Sequence, residues 1–492
     1  MFKNLINTVL IFTILLTSCS KDFEEINTDP NRPEEITPGV LLGQLQYRMV
    51  NSAIQSSRSF THELMQIDVP RESSSGGGQH RYFITPGEGV WNSFYSYLTD
   101  IKDLQTISEE LGEDNYKGIA LVYKSWAFSI LTDLYGDIPY FEATSASDGV
   151  FQPKFDKQED IYVQLLRDLE TANSLFDDSK PLTYGGDLVY NANELASDSN
   201  LGITKWKKFA NSLRLRLLLR ISKRDSEMDI TSQINVILSN PETYPVFTSI
   251  DDNAIFNYTG SFPYFNPYYN ARTVDWRENV CFAKFFIDGL NNSEDPRLHK
   301  WATTVEQNNQ DIYRGAESGY SVTTQHVVGQ NSSYHDNLKT FPQLGIMMTY
   351  AEVEFIKAEL ALKNFTTGFQ AKDHYESGIK ASMSQWGASM SMDFLEQQNI
   401  KYDTSGTTEG QMSQIMLQKY YAYFFVDFQS WFEKRRTGYP TLPRGEGIPS
   451  ENNFPSRIPY PTYLQSLNPD NLETAVNNMG GDNSDIKVWW DK

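Results

Sequence analysis

The chain has 492 residues and a formal net charge of −21 at pH 7. This acidic excess argues against nucleic-acid binding, because the chain has no surplus of basic side chains that would displace counterions. Hydrophobic residues make up 39% of the sequence and its two cysteines are Cys19 and Cys281, which argues against a multi-span membrane protein and against a fold built on several disulfides.

The first predicted element is a signal peptide at residues 1–18. The apolar stretch at 5–16 is too short to span a bilayer, which takes about 20 residues, but it suits the hydrophobic region of a signal peptide. It leads into Leu-Thr-Ser-Cys19, which resembles a bacterial lipobox. In a lipobox the cysteine is acylated, for example with palmitate, and becomes the first residue of the mature protein. An ordinary secretory signal with an incidental cysteine is the alternative.

The residues after the signal peptide are predicted to form a lipidated tether and N-terminal segment at 19–40 and a single domain at 41–492. The acidic stretch at 20–25 resembles the surface-export signal of Bacteroidetes lipoproteins. Lipid chains contribute about 0.8 kcal/mol per buried methylene, so an acylated cysteine anchors a protein firmly. No other apolar run reaches the length of a membrane span, so we expect membrane attachment by the lipid anchor only.

The first part of the domain is patterned as paired amphipathic helices. Apolar residues at helical spacing predict one helix over 94–111 and a second over 119–134, with a break at 112–115. Such a short turn implies an antiparallel pair. Asp156 and Glu159 look like a capping box that begins a third helix.

Further helices are predicted toward the C-terminus. Residues 206–221 form an apolar face that alternates with arginines, which we expect to pair with acidic neighbours. Residues 346–362 are apolar almost all round, which predicts a central helix, and 375–386 give its partner. A late helix begins at 412 and ends near Gly438. The arginines are Arg214, Arg216 and Arg220.

Long irregular stretches separate these helices and do not fall between independent cores, so we predict one domain. Stretches of this length are usually functional or act as linkers. The helix pairs are similar in length to tetratricopeptide repeats, although the repeat signature is degenerate. The predicted fold is mainly α, with tetratricopeptide-like helix pairs, long irregular ligand-facing loops and little β-structure. The stretches are 66–90, 180–203, 240–275, 291–345 and 436–492.

An aromatic loop at residues 258–276 is the first candidate ligand site. It places seven aromatic side chains among Asn, Pro, Gly and Arg. Neither a two-residue nor a 3.6-residue period fits them, so some rings should face solvent, where Tyr and Trp can stack on a sugar. The alternative is that half of the rings pack beneath the loop. The candidate residues are Tyr264, Phe265, Tyr268, Tyr269 and Trp276.

A second candidate is the loop at residues 71–83, where polar side chains flank a glycine run. A polar clamp beside an aromatic ring suits a glycan, and a merely mobile surface loop is the alternative. Tyr320 is a weaker candidate further along the chain. The candidate residues of the loop are Arg71, Gln79, Arg81 and Tyr82.

The sequence contains no motif for catalysis, for metal binding or for a cofactor, so we predict no catalytic residue, metal site or cofactor. It has neither His-Glu-x-x-His nor Gly-x-Ser-x-Gly nor a phosphate-binding glycine loop. Cys281 lies between Val280 and Phe282, which favours a buried, inert thiol. Residues 251–253 (Asp-Asp-Asn) contain possible calcium ligands, but a solvated turn is the favoured interpretation.

Several segments, taken in order, resemble the SusD/RagB family of Bacteroidetes outer-membrane lipoproteins, and specifically its SusD-like branch. They include DLYGDIPY at 133–140, KWKKFANSLRLR at 205–216 and VWWD at 488–491. Each match is weak alone, but their number and order make the resemblance strong. Besides the lipobox, the other segments are 22–31, 295–297, 348–359, 418–440 and 457–461.

The resemblance implies a fold of four tetratricopeptide-like helix pairs with loops on the opposite face. It implies a non-enzymatic lipoprotein of the outer membrane, facing the cell exterior, that binds an oligosaccharide or sometimes a peptide. It also implies a partner, a SusC-like TonB-dependent channel that the protein covers as a lid. A surface glycan hydrolase is the alternative, because the sequence does not exclude two carboxyl groups placed across a sugar.

Overall fold

The computed structural model describes residues 36–73, 77–194 and 196–492. The predicted signal peptide, Cys19 and most of the predicted N-terminal segment lie outside the described residues. Within the described ranges, no helix is both long enough and apolar enough to cross a membrane. The fold is mainly α-helical, as predicted, with only short strands between the helices.

The N-terminal half is a stack of helices in which each packs against the next. Contacts join α1 to α2, α2 to α3, α3 to α4 and α4 to α5. Gly112 ends α2 with a φ of 70°, a left-handed conformation that favours glycine, so the predicted break is confirmed. The bounds are α1 Pro38–Ser56, α2 Glu88–Leu111, α3 Asp114–Tyr135, α4 Gln158–Leu175 and α5 Ser199–Arg220.

The C-terminal half contains a second group of packed helices. In it, α8 packs against both α9 and α10. The bounds are α6 Ile230–Ser239, α7 Lys284–Asn291, α8 Tyr350–Leu362, α9 Ala371–Gln385, α10 Thr408–Ala422, α11 Gln429–Thr437 and α12 Pro469–Met479. Single helical turns lie at His62–Leu64, Asp225–Met228, Leu298–Trp301 and Leu464–Leu467, and wider π turns at Ser57–Thr61 and Val274–Glu278.

The strands form short antiparallel ladders, two of which join segments far apart in the chain, while the third is a local hairpin. β1 pairs with β3, with Val69 opposite Cys281. β2 pairs with β6, and β4 pairs with β5. The bounds are β1 Asp68–Pro70, β2 Ala254–Phe256, β3 Val280–Phe282, β4 Val305–Gln307, β5 Gln310–Ile312 and β6 Gly345–Met348.

Two predicted helix starts are wrong. Asp156 does not cap α4: its carboxylate accepts the backbone N–H groups of Tyr140 and Phe141, each at 2.9 Å, and so fixes the preceding loop. Residues 346–348 belong to β6, because they pair with β2, and α8 begins only at Tyr350.

The predicted late helix is interrupted. α10 ends at Ala422 and α11 begins at Gln429, and Phe425 between them has a φ of 62°. A left-handed non-glycine residue cannot continue a helix. The predicted end at Gly438 is confirmed, since Gly438 caps α11 with a φ of 84°.

Buried ion pairs join the two halves. Arg216 of α5 holds Glu352 of α8 with two bonds of 2.6 Å. Arg220 of the same helix lies 3.5 Å from Glu433 of α11, and it also donates to Asp133 of α3, within the N-terminal half, at 2.7 Å. Both arginines are at least 97% buried, and Arg214 pairs with Glu170 at 3.5 Å, so the predicted pairing of the α5 arginines is confirmed.

Candidate functional site

A cleft of about 1000 Å³ opens between α7, α10 and three loops. From here on it is called the cleft. α7 contributes Lys284, Phe285 and Asp288, and α10 contributes Leu417 and Tyr421. The loops contribute Gln66, residues 317–321 with Thr324, and residues 443–447.

One wall of the cleft depends on glycine residues. The backbone N–H of Gly447 donates to the carbonyl oxygen of Gly319 at 2.8 Å. A Cβ atom placed on Gly445 would lie 2.2 Å from the carbonyl oxygen of Ser318, so the two loops approach backbone to backbone. The Gly-Glu-Gly run at 445–447 indicates in the sequence that a backbone can approach closely here, but the sequence does not indicate which loop approaches it.

Residues 77–83 of the predicted 71–83 loop support this wall from behind, and residues 74–76 of that loop lie outside the described residues. Arg81 donates from Nε to the carbonyl oxygen of Gly447 at 2.8 Å, and its own carbonyl accepts from Asn452 at 3.0 Å. Tyr82 is buried, and the Arg444 guanidinium lies 5.7 Å from its ring centroid. Gln79 is half-buried in the helical turn Gln79–Arg81. Arg81 and Tyr82 therefore support the cleft from behind its wall.

Tyr320 lines the cleft and is held rigidly. Its ring stacks on His80 and meets His326 edge-on, each at 4.5 Å between centroids. Its hydroxyl donates to the carbonyl oxygen of Pro70 at 2.6 Å. Burial lowers the pKa of His80 to about 4, with further lowering by Arg81 and His326, so this imidazole is neutral at physiological pH.

Arg71 is not among the residues that line the cleft, and its side chain is held by other contacts. Its side chain is buried and donates to the carbonyl oxygens of Val327 and Asn331 and to the hydroxyl of Ser333. These bonds hold the 327–333 loop against β1. The Arg71 side chain therefore serves the 327–333 loop, although its backbone lies beside the Tyr320 cluster, where its carbonyl oxygen accepts from the backbone N–H of His326 at 2.9 Å.

The aromatic loop is divided, and its larger rings turn inward. Trp276 is fully buried and Tyr268 is 7% exposed. With Tyr334 they surround the Arg58 guanidinium, at 4.6, 5.2 and 4.9 Å from the ring centroids of Trp276, Tyr268 and Tyr334. Arg58 also donates to the carbonyl oxygen of Trp276 at 2.7 Å. These rings form a cation–π cage around Arg58 of the same chain.

The other rings of the aromatic loop stay near the surface. Phe265 and Tyr269 stack with centroids 4.7 Å apart, and Tyr269 is 42% exposed. Tyr264 is half-buried and meets Tyr47 of α1 edge-on at 5.4 Å. Phe262, which was not among the candidates, is 88% exposed. Some rings therefore face solvent, as expected, but they are fewer than the sequence suggests.

Charged side chains line the mouth of the cleft. Nζ of Lys284 lies 3.5 Å from Oδ2 of Asp288 and 3.5 Å from Oε1 of Glu317. These two carboxylates raise the pKa of Lys284. Arg444 donates to the carbonyl oxygens of Pro449 and Asn452. Both basic side chains of the cleft, Lys284 and Arg444, therefore already bind groups of the same chain.

Two further expectations lie outside the cleft. Cys281 is buried as predicted, and burial raises the pKa of its thiol to about 12, which makes it a poor nucleophile. The predicted solvated turn at 251–253 is wrong for Asp252, which is 3% exposed. Its two carboxylate oxygens each accept from Lys208 at 2.9 Å, and this ion pair compensates the buried charge.

Comparison with known proteins gives one family and many similar structures. A family model described as SusD-like, starch-binding and associating with the outer membrane matches residues 30–461. A SusD homologue from Bacteroides fragilis has a TM-score of 0.80 and 24% identity, covering 93% of this chain and 100% of that one. The comparison with curated proteins gives no match.

Two similar structures carry a ligand in their names. One is a chitin-binding protein with a TM-score of 0.76 and 25% identity, covering 93% of this chain and 100% of that chain. The other is a chitin-binding SusD homologue from Flavobacterium johnsoniae, with a TM-score of 0.75 and 21% identity, covering 92% and 98%.

Proposed function

This chain belongs to the SusD-like family, and from that premise we propose that it is a cell-surface lipoprotein that binds an oligosaccharide in the cleft and leaves it intact. The observation that carries the proposal is the cleft itself, about 1000 Å³ in volume, with aromatic rings and hydrogen-bonding groups on its walls. A concave site of this size that combines rings with a few polar groups suits a sugar chain.

The chemistry of the cleft matches a sugar on two counts. Phe285 lines it and is half-buried, so part of an apolar ring is accessible to the C–H face of a sugar. The hydroxyl of Tyr421 lies against Gly289, where any Cβ would come within 2.1 Å of it. Glycine at 289 therefore makes room for a hydroxyl that can exchange hydrogen bonds with sugar hydroxyl groups.

The exposed rings of the aromatic loop are proposed as a second, weaker contact for the same ligand. Phe265 and Tyr269 form a stacked pair at the surface, and such a pair offers an apolar face to a sugar ring. Tyr268 and Trp276 are left out of this proposal, because Arg58 occupies the space between their rings.

The anchor and the partner complete the proposal. We propose that acylated Cys19 tethers the chain to the exterior face of the outer membrane and that the ligand passes to a SusC-like TonB-dependent channel beneath it. The family description, which associates its members with the outer membrane, supports this placement. In cells that carry Cys19→Ala, we expect unprocessed or mislocalised precursor. Normal processing and outer-membrane fractionation would contradict the anchor.

The function is tested by incubating the purified protein with a panel of oligosaccharides and peptides. We expect at least one oligosaccharide to bind and to be recovered intact. Phe285→Ala should weaken binding roughly tenfold, since it removes a half-buried apolar ring from the cleft, whereas Phe151→Ala, at an exposed ring outside the cleft, should leave binding unchanged. Release of shortened products by the wild-type protein would favour a hydrolase instead.

A further inference from the structure

Building on the proposed function, we propose that the cleft selects an oligosaccharide that carries protonated amino groups, such as a chain of glucosamine units, over the same chain with its amines acetylated. The basis is the distribution of charge around the cleft. Three carboxylates and the two basic side chains Lys284 and Arg444 line it, so one negative charge is in excess and a ligand cation would gain from it.

Three carboxylates line the cleft from different elements. Asp288 comes from α7, Glu317 from the loop before Tyr320, and Glu446 from the glycine-rich wall. Two of them, Asp288 and Glu317, already hold an ammonium group, that of Lys284, with both N–O distances at 3.5 Å. This part of the cleft therefore shows by its own contacts that it accommodates a primary ammonium group.

The third carboxylate is available to a ligand. In the ranges that the structure describes, no basic side chain forms an ion pair with Glu446, which is exposed at the mouth of the cleft. The nearby Arg444 also lines the cleft, but its Nη2 is held by the carbonyl oxygens of Pro449, at 2.6 Å, and Asn452, at 3.0 Å. A ligand ammonium group can therefore pair with Glu446 without displacing a side chain.

A polar group on the same wall also lacks a partner. Ser318 lines the cleft and is 9% exposed, and its buried hydroxyl makes no hydrogen bond to any residue that the structure describes. An unpaired buried hydroxyl is costly, and an amine or hydroxyl group of a bound sugar would satisfy it. This observation points to a polar ligand independently of the carboxylates.

The experiment compares a glucosamine oligomer with the N-acetylglucosamine oligomer of equal length, by calorimetric titration of the full protein at a pH where the amines are protonated. We expect the glucosamine oligomer to bind about fivefold tighter, with the difference shrinking as salt is added. In Glu446→Gln the ratio of the two affinities, glucosamine oligomer over N-acetylglucosamine oligomer, should fall to about one. In Lys284→Met this ratio should rise, because the carboxylates of Asp288 and Glu317 become free.

The control is Glu306→Gln, which removes the same charge from an exposed position on β4, outside the cleft. Its ratio should equal that of the wild type. If the two oligomers bind equally and Glu446→Gln changes nothing, the charge preference is overturned while oligosaccharide binding stands. If neither oligomer binds but another oligosaccharide of the panel does, only this inference fails. If no oligosaccharide binds, the proposed function fails with it.

Discussion

The helical core and the cleft contain the same kinds of ion pair in very different surroundings. In the core, Arg436 holds both carboxylate oxygens of Glu359, at 2.7 and 2.5 Å, and all three charged groups of the cluster, Glu433 included, are at least 92% buried. At the cleft, Lys284 is 53% exposed and meets each of its two carboxylates at 3.5 Å. Buried pairs fix the fold, whereas exposed pairs contribute little to stability and can exchange with a ligand.

The sharpest test of this contrast removes one cation from each region. Arg436→Met leaves Glu359 and Glu433 buried with less compensation, so we expect a loss of about 3–5 kcal/mol in the free energy of unfolding. Lys284→Met, the matched change at the cleft, should leave the free energy of unfolding nearly unchanged, because both of its ion pairs are exposed. Urea unfolding measures both. Equal losses in the free energy of unfolding would show that burial does not determine how much these ion pairs contribute to stability.

The aromatic loop offers the same contrast between rings. Trp276→Ala empties a buried cage and should cost about 3–5 kcal/mol of stability with ligand affinity nearly intact. Tyr269→Ala removes a ring that is 42% exposed, so it should change stability by less than about 0.5 kcal/mol and should weaken binding, because this ring belongs to the proposed second contact. Thermal melts and titrations on both variants decide this. Lost affinity in Trp276→Ala with an unchanged melt would reverse the assignment.

The wall of the cleft formed by residues 318–319 and 445–447 depends on the close approach of two backbones. Gly445→Val forces a side chain against the carbonyl oxygens of Ser318 and Gly319, so the two loops must separate. We expect a loss of about 1–3 kcal/mol together with at least a tenfold loss of affinity. Gly89→Ala is the control, because a Cβ there meets nothing within 4 Å and a helix favours Ala. An unchanged affinity in Gly445→Val would mean that the ligand lies elsewhere.

The smallest expected effect is a pH dependence that arises beside the cleft. Burial raises the pKa of Glu63 from 4.5 to about 7, while the backbone N–H of His80 donates to its carboxylate at 2.9 Å. Between those pH values the unfolded chain has lost the proton and the folded chain keeps it, so this group makes stability fall as pH rises. Glu63→Gln removes this pH-dependent loss of stability and keeps a side-chain oxygen that can accept from the backbone N–H of His80.

The measurement is urea unfolding of the wild type and Glu63→Gln across that pH window. The stability of the variant relative to the wild type should rise between about pH 4.5 and about 7 and level off above it. The lowered pKa of His80 acts in the opposite direction, but it acts in both proteins and largely cancels in the difference. A constant difference across the window would mean that Glu63 does not titrate in this way.

Local patterns were enough to predict most of the helical framework. The apolar spacing over 94–111 and 119–134, with Gly112 between, appears in the structure as α2 and α3. The predicted starts at Asp156 and Ile346 failed for one reason. In the folded structure these residues bond to partners outside the predicted helices, a loop backbone in the first case and strand β2 in the second.

The cleft could not be predicted in the same way, because its walls come from positions far apart in the chain. Gln66, Phe285, Tyr320 and Glu446 meet only after folding. The aromatic loop shows the converse problem. Its density of rings is visible in the sequence, but the inward turn of Trp276 depends on Arg58, which no local period connects to it. The sequence therefore reveals which side chains suit a sugar, but not which of them remain accessible to one.

The most direct test of the account is a crystal structure of the protein with the tightest-binding oligosaccharide of the panel. We expect the sugar in the cleft, against Phe285 and Tyr320 and within hydrogen-bonding distance of Ser318 or Glu446, with its glycosidic bonds intact. Sugar bound only at Phe265 and Tyr269, or in the groove lined by Phe128 and Phe141, would contradict the assignment of the cleft as the binding site.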